Sequence, residues 1–351
     1  MIISLSQSEL YACAQTYPVI DTRSPGEYSK GHVPGAINIP LFSDEQRAIV
    51  GTLYIHQGKD AAVSQGLAFV GVKLQELVEQ VAAVAAIKPG NKKTVIMYCW
   101  RGGMRSRSFA NLLSSLGYTV YLLVGGYKAF RAYNREVFAR TWKLVVLSGR
   151  TGCGKTVILH HFAATHEQVI DLEGLASHKG SVFGSLGQPA QPTQAYFEDM
   201  LGWQLQGFDP AQPIWVEDES HSIGLCIVPQ QFFESMRSAP RVLVEVPLQQ
   251  RVEELLVEYG AITAEELLLC IDRLEKYIGS ERAQAMRLQV DDHRAIVGEA
   301  LKYYDKVYDG GLMRKAVGQM TICSVERPFS GKDFDLVMAA GLAIAHNVYQ
   351  Q

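Results

Sequence analysis

The chain has little of what marks several protein classes. Its six cysteines, Cys13, Cys99, Cys153, Cys226, Cys270 and Cys323, are scattered and form no C-x-x-C pair, which excludes a disulfide scaffold and a zinc-ribbon site and fits reduced cytosolic thiols. No run approaches the roughly 18 apolar residues of a membrane span. The opening MIISLSQSELYACAQ has no basic stretch leading into an apolar core, so a cytoplasmic protein without a membrane partner is expected. Charge of one sign is also missing: 33 Lys and Arg against 36 Asp and Glu leave −3, so a polyanion would have to be met by a local patch. Neither an internal repeat nor a low-complexity tract is present. What remains is ordinary globular usage, 48% hydrophobic and 20% charged over 351 residues, a length that suits about two domains of roughly 150 residues.

Short apolar runs alternate with helical stretches, the pattern of parallel α/β sheets. YPVID (17–21) and KTVIMYC (93–99) read as strands and LQELVEQVAAVAAI (74–87) as a helix. RSFANLLSSLG is then a helix closed by Gly117, and YTVYLLVGG another strand. The basic run 127–143 reads as a helical connector. A second α/β pattern follows, with KLVVLSG, QVIDLEG, PIWVEDE and RVLVEVP as strands, and beyond Pro247 the chain turns mostly helical. The expected division is a first domain over 1–126, the connector over 127–143, a second domain over 144–310 and a tail over 311–351.

GRTGCGKT satisfies G-x-x-x-x-G-K-[ST] between a buried strand and a helix, as a phosphate loop requires. Gly149, Gly152 and Gly154 let backbone N–H groups turn around an anion, Lys155 can reach a terminal phosphate, and Thr156 could ligate Mg²⁺. This predicts polyphosphate binding and leaves hydrolysis undecided. No metal is assigned with certainty, but Glu217, Asp218 and Glu219 end a second strand, where an acid holds a metal or orients a base. The Gly- and Pro-rich segment Ser177–Glu198 offers His178, Lys179 and Gln194 as substrate contacts.

The second signal is YCWRGGMRS. Cys99 leads a loop whose amides at 100–105, with Arg101, Gly102, Gly103, Arg105 and the following helix, would each favour thiolate over thiol, so Cys99 is the expected nucleophile. Cys13 and Cys270 read as helix-face packing. The string also satisfies C-x-x-x-x-x-R-[ST], the pattern of cysteine-dependent phosphatases, so the loop alone does not decide between sulfur and phosphate. Upstream, DTRSPGEYSKGHVPGAINIP (Asp21 to Pro40) resembles the amino-terminal signature of rhodanese domains, which carry sulfane sulfur on such a cysteine; dual-specificity-type phosphatases of the same fold stay open.

A rhodanese-like half ending in CWRGGMRS, followed by a phosphate-loop half with SHKGSVFG, PAQPTQ and WVEDES, resembles the tRNA 2-selenouridine synthase family over roughly residues 5 to 310. The resemblance implies a rhodanese-like parallel α/β domain followed by a P-loop NTPase-like α/β domain with a mostly helical C-terminal part. It also implies replacement of the sulfur of wobble 2-thiouridine by selenium from selenophosphate, through an S-geranylated intermediate made from geranyl diphosphate, with a selenium-supplying enzyme as a further partner. Lys155 would then stabilise departing diphosphate, and Cys99 would serve the selenium step, through a selenenyl sulfide or by accepting the displaced sulfur.

A tRNA anticodon loop needs cations. Between 101 and 150 nine basic residues stand against one acid, Glu136, and Lys128, Arg131, Arg135 and Arg140, with Tyr127 and Tyr133, are the expected contacts to phosphates and an unstacked base. Two other readings stay open: a rhodanese fused to an ATP-dependent kinase or ATPase holding Mg-ATP at Lys155 and Thr156, and a regulatory module whose first half only docks a protein.

Overall fold

The computed structural model of the protein describes residues 1–87, 93–181, 184–259, 263–315 and 319–350. The chain divides into two compact units, 1–138 with 195–207, and 139–194 with 208–351.

The first unit is built on a parallel sheet of β1 (Ile2–Leu5), β2 (Val19–Asp21), β3 (Ile37–Asn38), β4 (Thr94–Tyr98) and β5 (Thr119–Leu123), in the order β1-β5-β4-β2-β3. All five residues of β4 are buried, as a central strand covered on both faces requires. Its side chains alternate: Val95 and Met97 join a cluster with Leu77, Val81, Phe109 and Leu113, while Ile96 and Tyr98 join one with Leu10, Val33, Tyr127 and Phe130. Helix Leu74–Ala85 turns Leu77, Val81, Val84 and Ala85 inward at helical spacing.

The expected connector is corrected by the structure. Helix Gly126–Phe138 buries Tyr127, Phe130, Asn134, Val137 and Phe138 and is part of the first unit, because its apolar stripe covers the sheet. A second helix, Gln194–Gln206, comes from within the second half of the sequence, yet its residues 195–207 belong to the first unit. Trp203 packs on Phe130 and Tyr11, and buried Asp199 accepts hydrogen bonds from the Tyr127 hydroxyl and, at 3.2 Å, from Arg131. Burial pushes the Asp199 carboxyl up to about 7, against the pull of Tyr127 and Arg131.

The second unit carries a parallel sheet of β6 (Leu144–Gly149), β7 (Gln168–Ile170), β8 (Ile214–Glu217), β11 (Arg241–Glu245) and β12 (Met320–Ser324), ordered β12-β11-β6-β8-β7; β9 (Ser222–Ile223) and β10 (Cys226–Ile227) form a small hairpin. The expected tail over 311–351 is also corrected. Residues 316–318 lie outside the described residues, but β12 pairs with β11 along its whole length, and helix Gly331–Tyr349 places Val337, Ile344 and Ala345 in the core around Trp215. The segment is the edge of the sheet and its cover. Among the described residues no helix is long and apolar enough to cross a membrane.

Candidate active site

Each unit carries a loop at the carboxyl end of a central strand, where parallel sheets leave amides free for a ligand. In the first, Cys99 follows β4 and is buried, and helix Met104–Ser115 begins after Gly103. Ser106, in its first turn, donates its hydroxyl to Cys99 Sγ at 3.1 Å. The loop is clamped from behind: the Tyr127 N–H donates to the Cys99 carbonyl and the Lys128 N–H to the Trp100 carbonyl, each at 2.9 Å. Only glycine suits position 126, where φ is +59° and a Cβ would meet the Cys99 carbonyl and the Gly102 nitrogen. Arg101 and Gly103 are exposed and Gly102 is half-buried, while the indole of Trp100 is exposed and lies 5.8 Å, centre to centre, from the Tyr127 ring.

Arg105, expected to lend its charge to a bound anion, instead pairs with Glu27 at 2.9 Å. Burial pushes the Glu27 carboxyl up, but Arg105 outweighs it and holds it below the usual range. The Asp21-Thr22-Arg23 stretch is structural: Asp21 and Arg23 form a buried ion pair at 2.5 Å, and the guanidinium bonds the Gly31 carbonyl and lies 3.9 Å from the Tyr127 ring centre. It thereby braces the turn that supports the cysteine loop.

The basic helix is divided by its surroundings. Lys128 and Arg135, seven positions apart on one face, are exposed. Arg131, on the same side of the helix, pairs with Glu198 at 2.7 Å and with Asp199, so it is not a free phosphate contact; Tyr127 is buried and cannot stack an outside base. Arg140 lies in the second unit and is exposed.

In the second unit, Gly149 ends β6 and helix Lys155–Ala164 starts after Gly154. Gly152 and Gly154 adopt φ of +78° and +83°, and the Lys155 ammonium lies 3.4 Å from the Gly149 carbonyl. Burial opposes the Lys155 charge, yet Cys153 and the carboxylates Glu219, Glu173 and Glu217 outweigh it and hold the ammonium above the ordinary lysine range. Thr156 follows in the first helical turn and is half-buried.

The strand-end acids separate by side-chain alternation. Glu217 and Glu219 join Glu173, which the sequence reading missed, with one oxygen of each within 4.8 Å of the others; Asp218 faces away and accepts from Ser148 at 2.9 Å. Burial and the neighbouring Glu219 push Glu173 up to about 8, and burial with Glu173 raises Glu217 well above its ordinary value. Glu217 Oε2 is buried without a hydrogen-bond partner, so a hard divalent cation, Mg²⁺ above all, fits this oxygen set. Arg327, also missed, lays its guanidinium against Gly154, where Nη1 and Nε are buried without hydrogen-bond partners while Glu254 holds the far nitrogen at 2.5 Å. The Arg-Pro-Phe run after β12 was its only local signal.

Of the Ser177–Glu198 contacts, Gln194 is engaged in structure, exchanging two hydrogen bonds of 2.7 Å with the Ile227 backbone. Half-buried His178 keeps Nδ1 without a partner, and the Lys179 N–H donates to the Gly184 carbonyl; Val182 and Phe183 lie outside the described residues.

Residues 6–133 match the rhodanese-like domain, and residues 142–326 match the tRNA 2-selenouridine synthase AAA domain. The chain belongs to the tRNA 2-selenouridine synthase family. It is 35% identical to the tRNA 2-selenouridine synthase of Hydrogenovibrio crunogenus over 91% of this chain and 93% of the relative. It is 32% identical to that of Psychromonas ingrahamii, covering 85% and 89%, and 40% identical to that of Bdellovibrio bacteriovorus, covering 70% and 65%. As a member of this family the chain is a transferase of tRNA modification, with a rhodanese-like unit and a P-loop unit as its sequence led one to expect.

Proposed function

We propose that this tRNA 2-selenouridine synthase acts on wobble 2-thiouridine, attaches a geranyl group to its sulfur, and then replaces the geranylated sulfur by selenium from selenophosphate. The observation that carries this reading is the phosphate loop that sets the Lys155 ammonium beside Glu173, Glu217 and Glu219, a receptor for a metal-bound diphosphate. In the first step the thiouridine sulfur attacks the allylic carbon of geranyl diphosphate, the carbon–oxygen bond breaks, and diphosphate leaves with its charge held by the loop amides and Lys155. Mg²⁺ would be held by the three glutamates and would supply further neutralisation.

The geranyl thioether is a better leaving group than a thiocarbonyl sulfur, so selenium from selenophosphate attacks the ring carbon, the carbon–sulfur bond breaks, and geranylthiol and phosphate are released. Cys99, with Ser106 on its sulfur and Arg101 exposed nearby, serves that second step. Lys128, Arg135 and Arg140 hold tRNA phosphates, and the exposed Trp100, next to Cys99 in the chain, offers an unstacked base an aromatic face. The test supplies the full chain with thiolated tRNA, geranyl diphosphate and selenophosphate, omits each in turn, and reads the nucleosides by mass spectrometry. Geranylated nucleoside should accumulate without selenophosphate, and selenouridine formed in the absence of geranyl diphosphate would overturn the order of steps.

The same acids beside Lys155 also favour a second reading, an ATP-dependent kinase or ATPase fused to a rhodanese. Rapid ATP turnover by a chain that does not bind tRNA would select it.

A further inference from the structure

Lys155 is not the only cation at the phosphate loop. Strand β12 ends at Ser324, and in the turn that follows Arg327 lays its guanidinium on the last glycine of the loop: a Cβ on Gly154 would run into Nη1 and the Phe329 ring. The guanidinium carbon lies 4.5 Å from the centre of that ring. Glu254 meets Nη2 at 2.5 Å, whereas Nη1 and Nε are buried and, among the described residues, have no hydrogen-bond partner. A guanidinium carries five N–H donors, and leaving buried ones unpaired is a cost that folded chains normally avoid. Nη1 is therefore a donor aimed at the loop whose acceptor the described chain does not supply.

Helix Leu248–Tyr259 holds both sides of this contact. Its Gln250 accepts from the Arg327 N–H at 2.7 Å and its Glu254 takes the guanidinium, while its Arg251 donates to the Thr151 carbonyl of the loop at 3.1 Å. Arg251 is in turn paired with Asp305 at 2.6 Å, and a Cβ on Gly152 would touch Leu255 Cγ at 3.2 Å. One helix thus sets the spacing between guanidinium and loop before any ligand arrives, the preorganisation that makes a donor effective. The Lys155 ammonium stands by the loop's first glycine, 3.4 Å from the Gly149 carbonyl, and Arg327 stands by its last. Two cations at separate glycines match an anion of two phosphoryl groups.

We propose that Arg327 is a substrate-contacting residue of this loop, its Nη1 donating to a phosphoryl oxygen of the bound diphosphate beside Gly154. The proposal rests on the reading that loop 149–156 takes a diphosphate, and it adds a second charged donor, supplied by the turn after β12. The structural alternative is a strut, in which Arg327 and Glu254 merely hold that turn against helix Leu248–Tyr259. The two differ in sign. If Arg327 serves the ligand, Glu254 competes with the anion for it; if the pair is a strut, losing either partner does the same harm.

The test is calorimetric titration of the full-length protein with inorganic pyrophosphate and Mg²⁺, in the wild type, Arg327→Met, Arg327→Lys and Glu254→Gln. Arg327→Met should weaken pyrophosphate binding by ~10-fold or more, the usual loss for a hydrogen bond to a charged group. Arg327→Lys keeps the charge but gives up the planar fork, and should fall between Arg327→Met and the wild type. Glu254→Gln should tighten binding by at least ~2-fold, because the competing carboxylate charge is gone. Weakening in Glu254→Gln as large as in Arg327→Met would make the pair a strut and overturn the assignment while leaving the diphosphate reading of the loop standing. Binding by Arg327→Met within about twofold of wild type would do the same. Should Arg327→Met fail to fold by circular dichroism, Arg327→Lys and Glu254→Gln decide by the same signs. A wild type that binds no pyrophosphate would remove the loop reading itself, and this inference with it.

Discussion

The cysteine loop and the phosphate loop solve one backbone problem in two electrostatic ways. Both turn from a buried parallel strand into a helix over glycines with positive φ, Gly102 in one and Gly152 and Gly154 in the other. In the first, one of the two arginines is spent, Arg105 being bound to Glu27 while Arg101 is exposed, and the group on the sulfur is the neutral hydroxyl of Ser106. The second concentrates charge, with Lys155 set among three glutamates. The first loop meets its sulfur with a neutral donor, whereas the second sets a buried cation against acids.

If that contrast divides the labour, the largest effect belongs to Cys99→Ser: selenium incorporation should fall to background while geranyl transfer to thiolated tRNA continues, as nucleoside mass spectrometry will read. Lys155→Ala should slow the geranyl transfer itself by roughly 100-fold or more, the usual cost of losing one donor to a developing anion. Equal loss of both products in both variants would break the comparison. Ser106→Ala sharpens it: removing one neutral hydrogen bond to the sulfur should lower the selenium step by up to ~10-fold and leave geranylation rates untouched in single-turnover assays.

A smaller effect concerns stability rather than chemistry. The Asp199 carboxyl, raised from an ordinary 3.8 to about 7 by burial, keeps its proton across that window in the native state, where the unfolded chain has lost it. The folded form then binds more protons, so stability falls as pH climbs from about 4 to about 7 and is level above that. Asp199→Asn should flatten this slope, measured as the difference in denaturant midpoint between pH 5 and pH 8; an unchanged slope would show that Asp199 does not titrate there.

Much of the site was legible because it is local. Cys99, Arg101 and Arg105 fall in one short run, as do Gly149, Lys155 and Thr156, and a strand before and a helix after each run were enough to place them. The partners were less visible. Glu173 reaches Glu217 across 44 positions, its N–H donating to the Glu217 carboxylate at 2.9 Å, and no spacing rule joins them. Arg131 looked like one more cation on a basic helix until Glu198 and Asp199 came to rest against it. The 311–351 segment was read as a tail because MTICS lacks the branched apolar run of the central strands, being an edge strand with one buried residue.

The sequence by itself determined two parallel α/β units, two glycine-bearing strand-to-helix loops and the family to which the chain belongs, since backbone turns and strand periodicity are written in neighbouring residues. Only the tertiary structure decided which charges are spent on one another, which helix of the second half joins the first unit, and that Glu173 stands with Glu217 and Glu219. Those outcomes depend on strand order and on which side of a strand or helix each side chain faces, quantities set when distant segments pair.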